Sequence, residues 1–246
     1  MEKTTKYLKL PFQFDAEKLV HDLSLIFEGK WIPHFNTSGY SGDWKVISLY
    51  AEGGDDSNIF ALSNSNSILS ETLALKKCHY FKEVIDSFKA PVLTARILRL
   101  GPGAEIKPHR DHELGYEDGN FRLHIPIITN PDVQFVLDGI ELTMLAGECW
   151  YTNVNYVHSV KNSGEVNRVH LVIDVKRNEW SDRLFFSLVP KDRFQPIPKE
   201  EDSPETIKRV IEELKLSNEP IAKELINNLL SKLTKLKENT IQDKPH

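Results

Sequence analysis

The chain has 246 residues, 40% hydrophobic and 27% charged, a balance that supports a sizeable core and excludes a disordered or fibrous chain. A formal charge of −5 and a pI near 6.0 leave no basic footprint for nucleic acid, and no Lys/Arg-rich block suggests a membrane surface. Cys78 and Cys149 are too few for a disulfide framework and lack Cys-x-x-Cys spacing, which fits a reducing cytoplasm.

From Met1 to Phe14 there is no apolar run long enough for a signal peptide or a membrane span, so no export is expected. Asp15 is placed to cap a helix over 15–27, in which Leu19, Leu23 and Ile26 recur at near-helical spacing. Residues 51–70 are rich in Gly, Asp, Asn and Ser and read as a loop, either a lid or a plain connection. Phe81, Val84, Ile85 and Phe88 repeat at i, i+3, i+4 and i+7, and Pro91 stops that second helix.

From Leu93 to Val175 the period becomes two, in runs at 93–100, 121–129, 133–138, 140–145, 148–154 and 168–175. Gly101-Pro102-Gly103, Asn130-Pro131-Asp132 and Asp138-Gly139 are the turns, the last a hairpin signal. No run alternates with helices as a βαβ sheet would. A mainly β jelly roll, a cupin-like double-stranded β-helix with flanking helices, is therefore expected over 1–190. Residues 191–246 read as a linker around Pro196 and Pro198 followed by a C-terminal helical hairpin. One helix begins at Ser203-Pro204-Glu205 with Ile207, Val210, Ile211 and Leu214 as its stripe, and the second carries Ile221, Leu225, Leu229, Leu233 and Leu236. The hairpin is expected to pack on its own β core or to form a homodimer contact.

His109-Arg110-Asp111 sets an imidazole and a carboxylate two residues apart, so on an extended segment both point to one side and can share an ion. The motif alone is weak, because nine His and fifteen Asp in this length give roughly half a His-x-Asp pair by chance. His158 lies beyond several strands that can fold the chain back. Two His and one carboxylate on one face of an octahedral ion leave three open positions, the donor set of non-haem Fe(II) oxygenases. Those positions match two oxygens of a 2-oxo acid and one O2. The distal carboxylate of such an acid calls for a fixed bidentate donor, and Arg168 opens a strand ten residues past His158. Val169, Leu171, Ile173 and Val175 form one face of that strand, with Arg168, His170 and Asp174 on the other. Arg122 and His124 repeat the pattern upstream. Either both strands are ordinary amphipathic ones with Arg and His in water, or their polar faces line the barrel mouth while the two helices cover the apolar faces. His112 points away from Asp111 and reads as a bystander.

The stretch His109-Arg-Asp, Arg122-Leu-His124, Gly147-Glu148, His158-Ser-Val-x-Asn162, Arg168 and Asp174 resembles the aspartyl/asparaginyl β-hydroxylase family, which includes bacterial proline hydroxylases. The resemblance covers about 93–180, with weaker echoes at Trp44–Leu49 and Leu75–Tyr80. It implies a double-stranded β-helix with Fe(II) on His109, Asp111 and His158, and with Arg168 on the distal carboxylate of 2-oxoglutarate. Arg122 and His124 would face the cosubstrate's other end or the substrate. Vertebrate members that act on folded EGF-like modules lack the carboxylate ligand. This chain keeps Asp111, which aligns it with the bacterial small-substrate members. Lys176-Arg177 follow the Arg-bearing strand where the family often has His-Pro, a departure that bears on substrate identity. The expected activity is a cytoplasmic, Fe(II)- and 2-oxoglutarate-dependent hydroxylation, using O2, of an amino acid or of a residue in a peptide or protein. The alternative is a non-catalytic jelly-roll module that binds a metal or a ligand.

Overall fold

A computed structural model describes residues 4–29, 31–60, 68–195, 204–215, 222–223, 225–231 and 233–234. The chain divides into two compact units, one of residues 1–34 and 39–197, the other of residues 35–38 and 198–246.

The strands of the first unit are β1 (Tyr7–Gln13), β2 (Ile32–Pro33), β3 (Tyr40–Ser41), β4 (Trp44–Glu52), β5 (Leu69–Glu71), β6 (Val92–Leu100) and β7 (Glu105–His109). They continue with β8 (Asn120–Ile128), β9 (Val133–Leu137), β10 (Ile140–Glu141), β11 (Glu148–Thr152), β12 (His158–Asn162) and β13 (Arg168–Lys176). The large antiparallel sheet runs β1-β11-β8-β13-β6-β4-β2 with β5 on β4, and the small one runs β10-β9-β12-β7-β3. From β6 onward the chain passes back and forth between the two sheets, four strands in each. That winding makes a double-stranded β-helix of two packed sheets rather than a closed barrel.

Physical chemistry sets each face. Leu171, Ile173 and Val175 of β13, with Leu123 and Ile125 of β8 and Ala95 and Ile97 of β6, form the outer face of the large sheet. Helix α1 (Ala16–Ile26) covers it with Leu19, Leu23 and Ile26, and α2 (His79–Ser87) with Phe81, Val84 and Ile85. Each such side chain contributes about 1.5–3 kcal/mol on burial. Asp15 accepts from the Glu17 and Lys18 backbone N–H groups at 3.0 and 3.1 Å, which starts α1 where the sequence places it. The buried carboxylate of Asp22 on α1 accepts from the Phe81 N–H at 2.8 Å and ties the two helices together. On the inner face, Trp44, Leu100, Ile106, Phe135, Leu137 and Val160 join the two sheets in a second apolar cluster.

The turns follow the residues that demand them. Asp138 and Gly139 have φ of 49° and 77°, the paired left-handed conformation of a type I′ hairpin. Gly147 has φ of +80°, and a Cβ there would stand 2.2 Å from the Phe14 carbonyl oxygen, so only glycine admits the turn into β11. That turn brings β1 beside β11, with Leu10 opposite Cys149 and Lys9 paired to Glu148.

Several expectations are corrected. The run at 140–145 is strand only over Ile140–Glu141; the Leu142 N–H still donates to Phe135 O at 2.8 Å in register with the hairpin, and Leu142 and Met144 lie in the inter-sheet core. The loop at 51–70 is shortened by β4, which runs to Glu52, and by β5. Residues 61–67 of that stretch lie outside those described. Strands β1, β4, β7 and β12 were not expected from periodicity, nor was helix α3 (Glu179–Leu188), which Asn178 caps by accepting from the Ser181 N–H at 3.0 Å.

In the second unit, helix α4 (Pro204–Leu214) packs Ile207 and Ile211 against Leu233, Ile226 and Leu229 of the following helical residues. Ser203, Ile221, Leu236 and the stretch at 196–202 lie outside the described residues. Among the described residues no helix is long and apolar enough to cross a membrane.

Candidate metal centre and cosubstrate pocket

Three side chains converge from the small sheet. His109 ends β7, His158 begins β12, and the two are paired across the ladder with ring centroids 4.2 Å apart. Asp111 follows β7 by two residues, and its N–H donates to Val154 O at 2.9 Å. One ligand atom from each of His109, Asp111 and His158 lies within 4.8 Å of the others, the one such grouping among the described residues. The imidazoles are set in one tautomer. His109 Nδ1 lies 2.8 Å from the Lys107 carbonyl and His158 Nδ1 lies 3.1 Å from that of Tyr156. A carbonyl can only accept, so each Nδ1 carries the proton and each Nε2 presents a lone pair. His109 Nε2 stands 3.7 Å from Asp111 Oδ1.

Electrostatics keep Asp111 and His158 in ligating form. Burial disfavours a charged Asp111, but the Arg122 guanidinium beside it, helped by His158 and His109, holds the carboxyl well below the usual carboxylate range. Burial pushes His158 down to about 4, against the pull of Asp111. Two imidazoles and a carboxylate fit a divalent iron-type ion.

Arg122 belongs to a buried network on the inner face of the large sheet. One Nη bonds Asp111 Oδ2, while Nε and the other Nη make a bidentate pair with Asp174 at 2.7 and 3.0 Å. Asp174, fully buried, also accepts from Arg96 at 3.1 Å and from the Thr94 hydroxyl at 3.1 Å. The donors of Arg122 are thus turned to carboxylates of the protein, and Asp174 fixes the arginine that fixes Asp111.

Arg168 differs. It is 2% exposed, donates to His170 Nδ1 at 2.9 Å, and lies 6.0 Å from the Phe135 ring centroid, yet among the described residues no carboxylate meets it. Burial pushes its guanidinium down to about 9 with nothing to offset it. Among the described residues its Nε has no hydrogen-bond partner, nor has either ring nitrogen of His124, which burial, then the charges of Arg168 and Arg122, hold neutral. Trp44 Nε1, Ser48 Oγ, Arg96 Nε and Thr152 Oγ1 are likewise buried without partners. The register sets all of these residues on the inner face of the large sheet. Unsatisfied buried donors are costly, and so many on one face describe a polar pocket shaped for an anion. Phe135 stacks towards His158 at 6.3 Å and lies 5.5 Å from His124, linking this pocket to the triad. A dicarboxylate reaching from Arg168 towards the triad fits the residues present.

All six residues singled out from sequence therefore border one inter-sheet space, and the polar faces of β8 and β13 are buried rather than solvated. His112 is exposed and outside the cluster. Sequence reasoning missed Arg96, Ser48 and His34, the last stacked on Trp44 at 3.5 Å. The signal for Arg96 was present, since Thr94 and Arg96 alternate with the apolar Ala95 and Ile97 just as Arg122 and His124 alternate with Leu123 and Ile125.

A family model described as aspartyl/asparaginyl beta-hydroxylase matches residues 13–178. Among curated proteins, the chain is similar to L-proline cis-3-hydroxylase 1 of Streptomyces sp, at 29% identity over 167 residues. It is also similar to L-proline cis-3-hydroxylase 2 of Streptomyces sp, at 25% identity over 165 residues. Each alignment covers 66% of this chain and 57% of the relative, so the chain spans little more than half the length of these relatives. Among solved structures, an oxidoreductase of the 2OG-Fe(II) oxygenase family from Burkholderia pseudomallei aligns with a TM-score of 0.49 and 16% identity, over 70% of this chain and 86% of that one.

Proposed function

Because the chain belongs to the aspartyl/asparaginyl β-hydroxylase family, we propose that it is an Fe(II)- and 2-oxoglutarate-dependent hydroxylase of a small amino acid. In this reading His109, Asp111 and His158 hold the iron, and Arg168 holds the distal carboxylate of 2-oxoglutarate. The observation that carries it is a buried, unpaired Arg168 sharing one inter-sheet space with a His/Asp/His cluster. When bound, iron with 2-oxoglutarate and O2 supplies the oxidising power that converts a C–H to a C–OH, releasing succinate and CO2. The protein's share is placement. The Lys107 and Tyr156 carbonyls aim the Nε2 lone pairs, Asp174 and Arg122 aim the Asp111 carboxylate, and the apolar plug of Trp44, Leu100 and Phe135 keeps water from the closed end. His124 offers a ring N–H to the cosubstrate's inner end or to the substrate.

The names of the curated relatives favour a free amino acid such as L-proline over an Asp or Asn side chain in a folded protein. A cytoplasmic location is supported by Cys78 and Cys149, both buried and unpaired. Assignment of the reaction to residues 1–190, with 191–246 as a linker and helical hairpin that packs on its own β core or forms a homodimer contact, rests on the sequence pattern.

Purified protein given Fe(II), 2-oxoglutarate, O2 and L-proline should release succinate and yield a product heavier by one oxygen. His109→Ala, Asp111→Ala and His158→Ala should each abolish this and weaken Fe(II) binding, with the fold retained. Full turnover in Asp111→Ala would point to a two-His site, and absence of succinate from the wild type under all amino acids tried would sink the enzyme reading.

A further inference from the structure

The ladder of β7 and β12 sets His109 beside His158, but Asp111 lies two residues past β7 and in no strand, so the ladder does not fix its place. Two loops do. One runs from Asp111 to β8, and the other, residues 153–157, leads from β11 into His158. The backbone joins them from the Asp111 N–H to Val154 O, and side chains whose role the reading above leaves open join them again.

Asn155 donates to Asp118 Oδ2 at 2.5 Å and accepts from the Leu114 N–H at 3.4 Å, so it grips the Asp111 loop at two points. Asn153, fully buried, donates to Glu117 Oε1 at 2.7 Å. Its Oδ1 accepts from the Asn155 N–H at 3.2 Å and its carbonyl from the Tyr156 N–H at 3.2 Å. Those bonds fold the turn whose Tyr156 carbonyl holds His158 Nδ1, so one amide connects Glu117 to the aim of a metal ligand.

The junction is tight and held under strain. A Cβ on Gly115 would stand 2.4 Å from Asn155 Nδ2, 2.8 Å from Glu117 Oε1 and 2.9 Å from Asn153 Oδ1, which leaves no room for a larger residue. Glu113, between Asp111 and Leu114, has φ of +63°, a left-handed conformation that a non-glycine residue keeps only where its surroundings impose it. Glu117 Oε2 is buried without a partner among the described residues, and burial raises its carboxyl from the ordinary value. An unpartnered buried oxygen weakens the fold, so stability alone does not account for an acid at this junction.

We propose that Asn153 and Asn155, held by Glu117 and Asp118, are positioning residues of the metal centre, which lock the loop carrying Asp111 to the loop that aims His158 and so set how tightly the ion is held. The inference rests on the proposed hydroxylase reading through its metal ligands alone. With the clamp open, the ladder still pairs His109 with His158, whereas the Asp111 backbone is freed, so the carboxylate is the ligand that suffers first.

The test is metal uptake by the full chain with Co(II) as the probe, read by competition against a coloured chelator and by the visible absorption of the bound ion. Asn155→Ala and Glu117→Ala should each bind Co(II) about tenfold more weakly and with an altered spectrum. Glu117→Gln keeps the acceptor for Asn153 and should stay within about twofold of the wild type. Gly115→Ala, which drives a methyl group into the clamp, should match the two weakened variants. Urea unfolding without metal separates aim from folding, because Glu117→Gln, relieved of a buried charge, should unfold at the wild-type midpoint or above it. Asn155 is only half-buried, so its truncation spares the core and keeps the test intact if Gly115→Ala fails to fold. Wild-type Co(II) affinity and spectrum in Asn155→Ala and Glu117→Ala, or an equal loss in Glu117→Gln and Glu117→Ala, would overturn the clamp. Failure of the hydroxylase reading shows separately, as wild-type protein that binds Co(II) through the clamp yet releases no succinate with any amino acid.

Discussion

Arg168 is a guanidinium buried to 2% exposure beside a histidine and a phenylalanine ring, with no carboxylate of the described residues against it. Desolvating an ion costs several kcal/mol, and replacing a buried charge by an apolar side chain of similar volume is often neutral or stabilising. Arg168→Met should therefore leave the ligand-free fold as stable as the wild type, or more stable by about 1–3 kcal/mol, while 2-oxoglutarate binding falls by two decades or more. Urea unfolding and a 2-oxoglutarate titration check the two halves together. A variant destabilised by more than about 2 kcal/mol would make Arg168 a structural residue. The triad and Arg168 were legible in the sequence because their residue types and order along the chain already imply the chemistry. The pairing of Arg122 with Asp111 and Asp174, and of Ser48 with Arg96, was not. Those contacts depend on which strand lies beside which, and β4 joins β6 across 39 residues of intervening chain.

Period two in β8 and β13 was readable, but which face met water was not, because both strands are buried on both sides. The two amphipathic helices decided it by covering Leu171 and Ile173, which turns His170 and Asp174 inward. β7 and β12 escaped notice since each is five residues long and mixes exposed Lys with buried Ile or Val, too short a pattern to separate from a turn. The segment from Asp55 to Phe60 carries a prediction. Its Asx-type turn, with the Ser57 N–H bonded to Asp55 at 2.8 Å, leads into Ile59 and Phe60, both buried, and Ile59 lies over the inner face with its carbonyl on Arg96. Hydrogen exchange at residues 55–60 should slow when L-proline is added anaerobically to protein holding Fe(II) and 2-oxoglutarate. Exchange that does not respond would make the segment a plain connection and remove it from any lid role.

For the molecule as a whole, the buried histidines set the acid limit. Burial is the first cause that lowers His34, His124 and His170, with Arg96 acting next on His34 and Arg168 next on His124 and His170. His34 falls from 6.5 to about 3. Each is neutral in the fold at a pH where the unfolded chain already takes up a proton. Stability is thus complete above about pH 6.5 and is lost as pH falls, by roughly 1.4 kcal/mol per unit for each histidine, or about 4 kcal/mol per unit for the three. Urea midpoints measured at pH 7, 6 and 5 should drop steeply between the last two, whereas a flat profile would mean that these rings gain protons without unfolding. Synthesis order imposes a different limit. Lys9 on β1 and Glu148 on β11 are 139 residues apart, yet they close the edge of the large sheet. Strand β1 therefore leaves the ribosome long before its neighbour β11, and until then its unpaired N–H and C=O groups offer an edge to any other nascent chain. The lysines at positions 6 and 9 give that waiting strand a charge that repels its own copies.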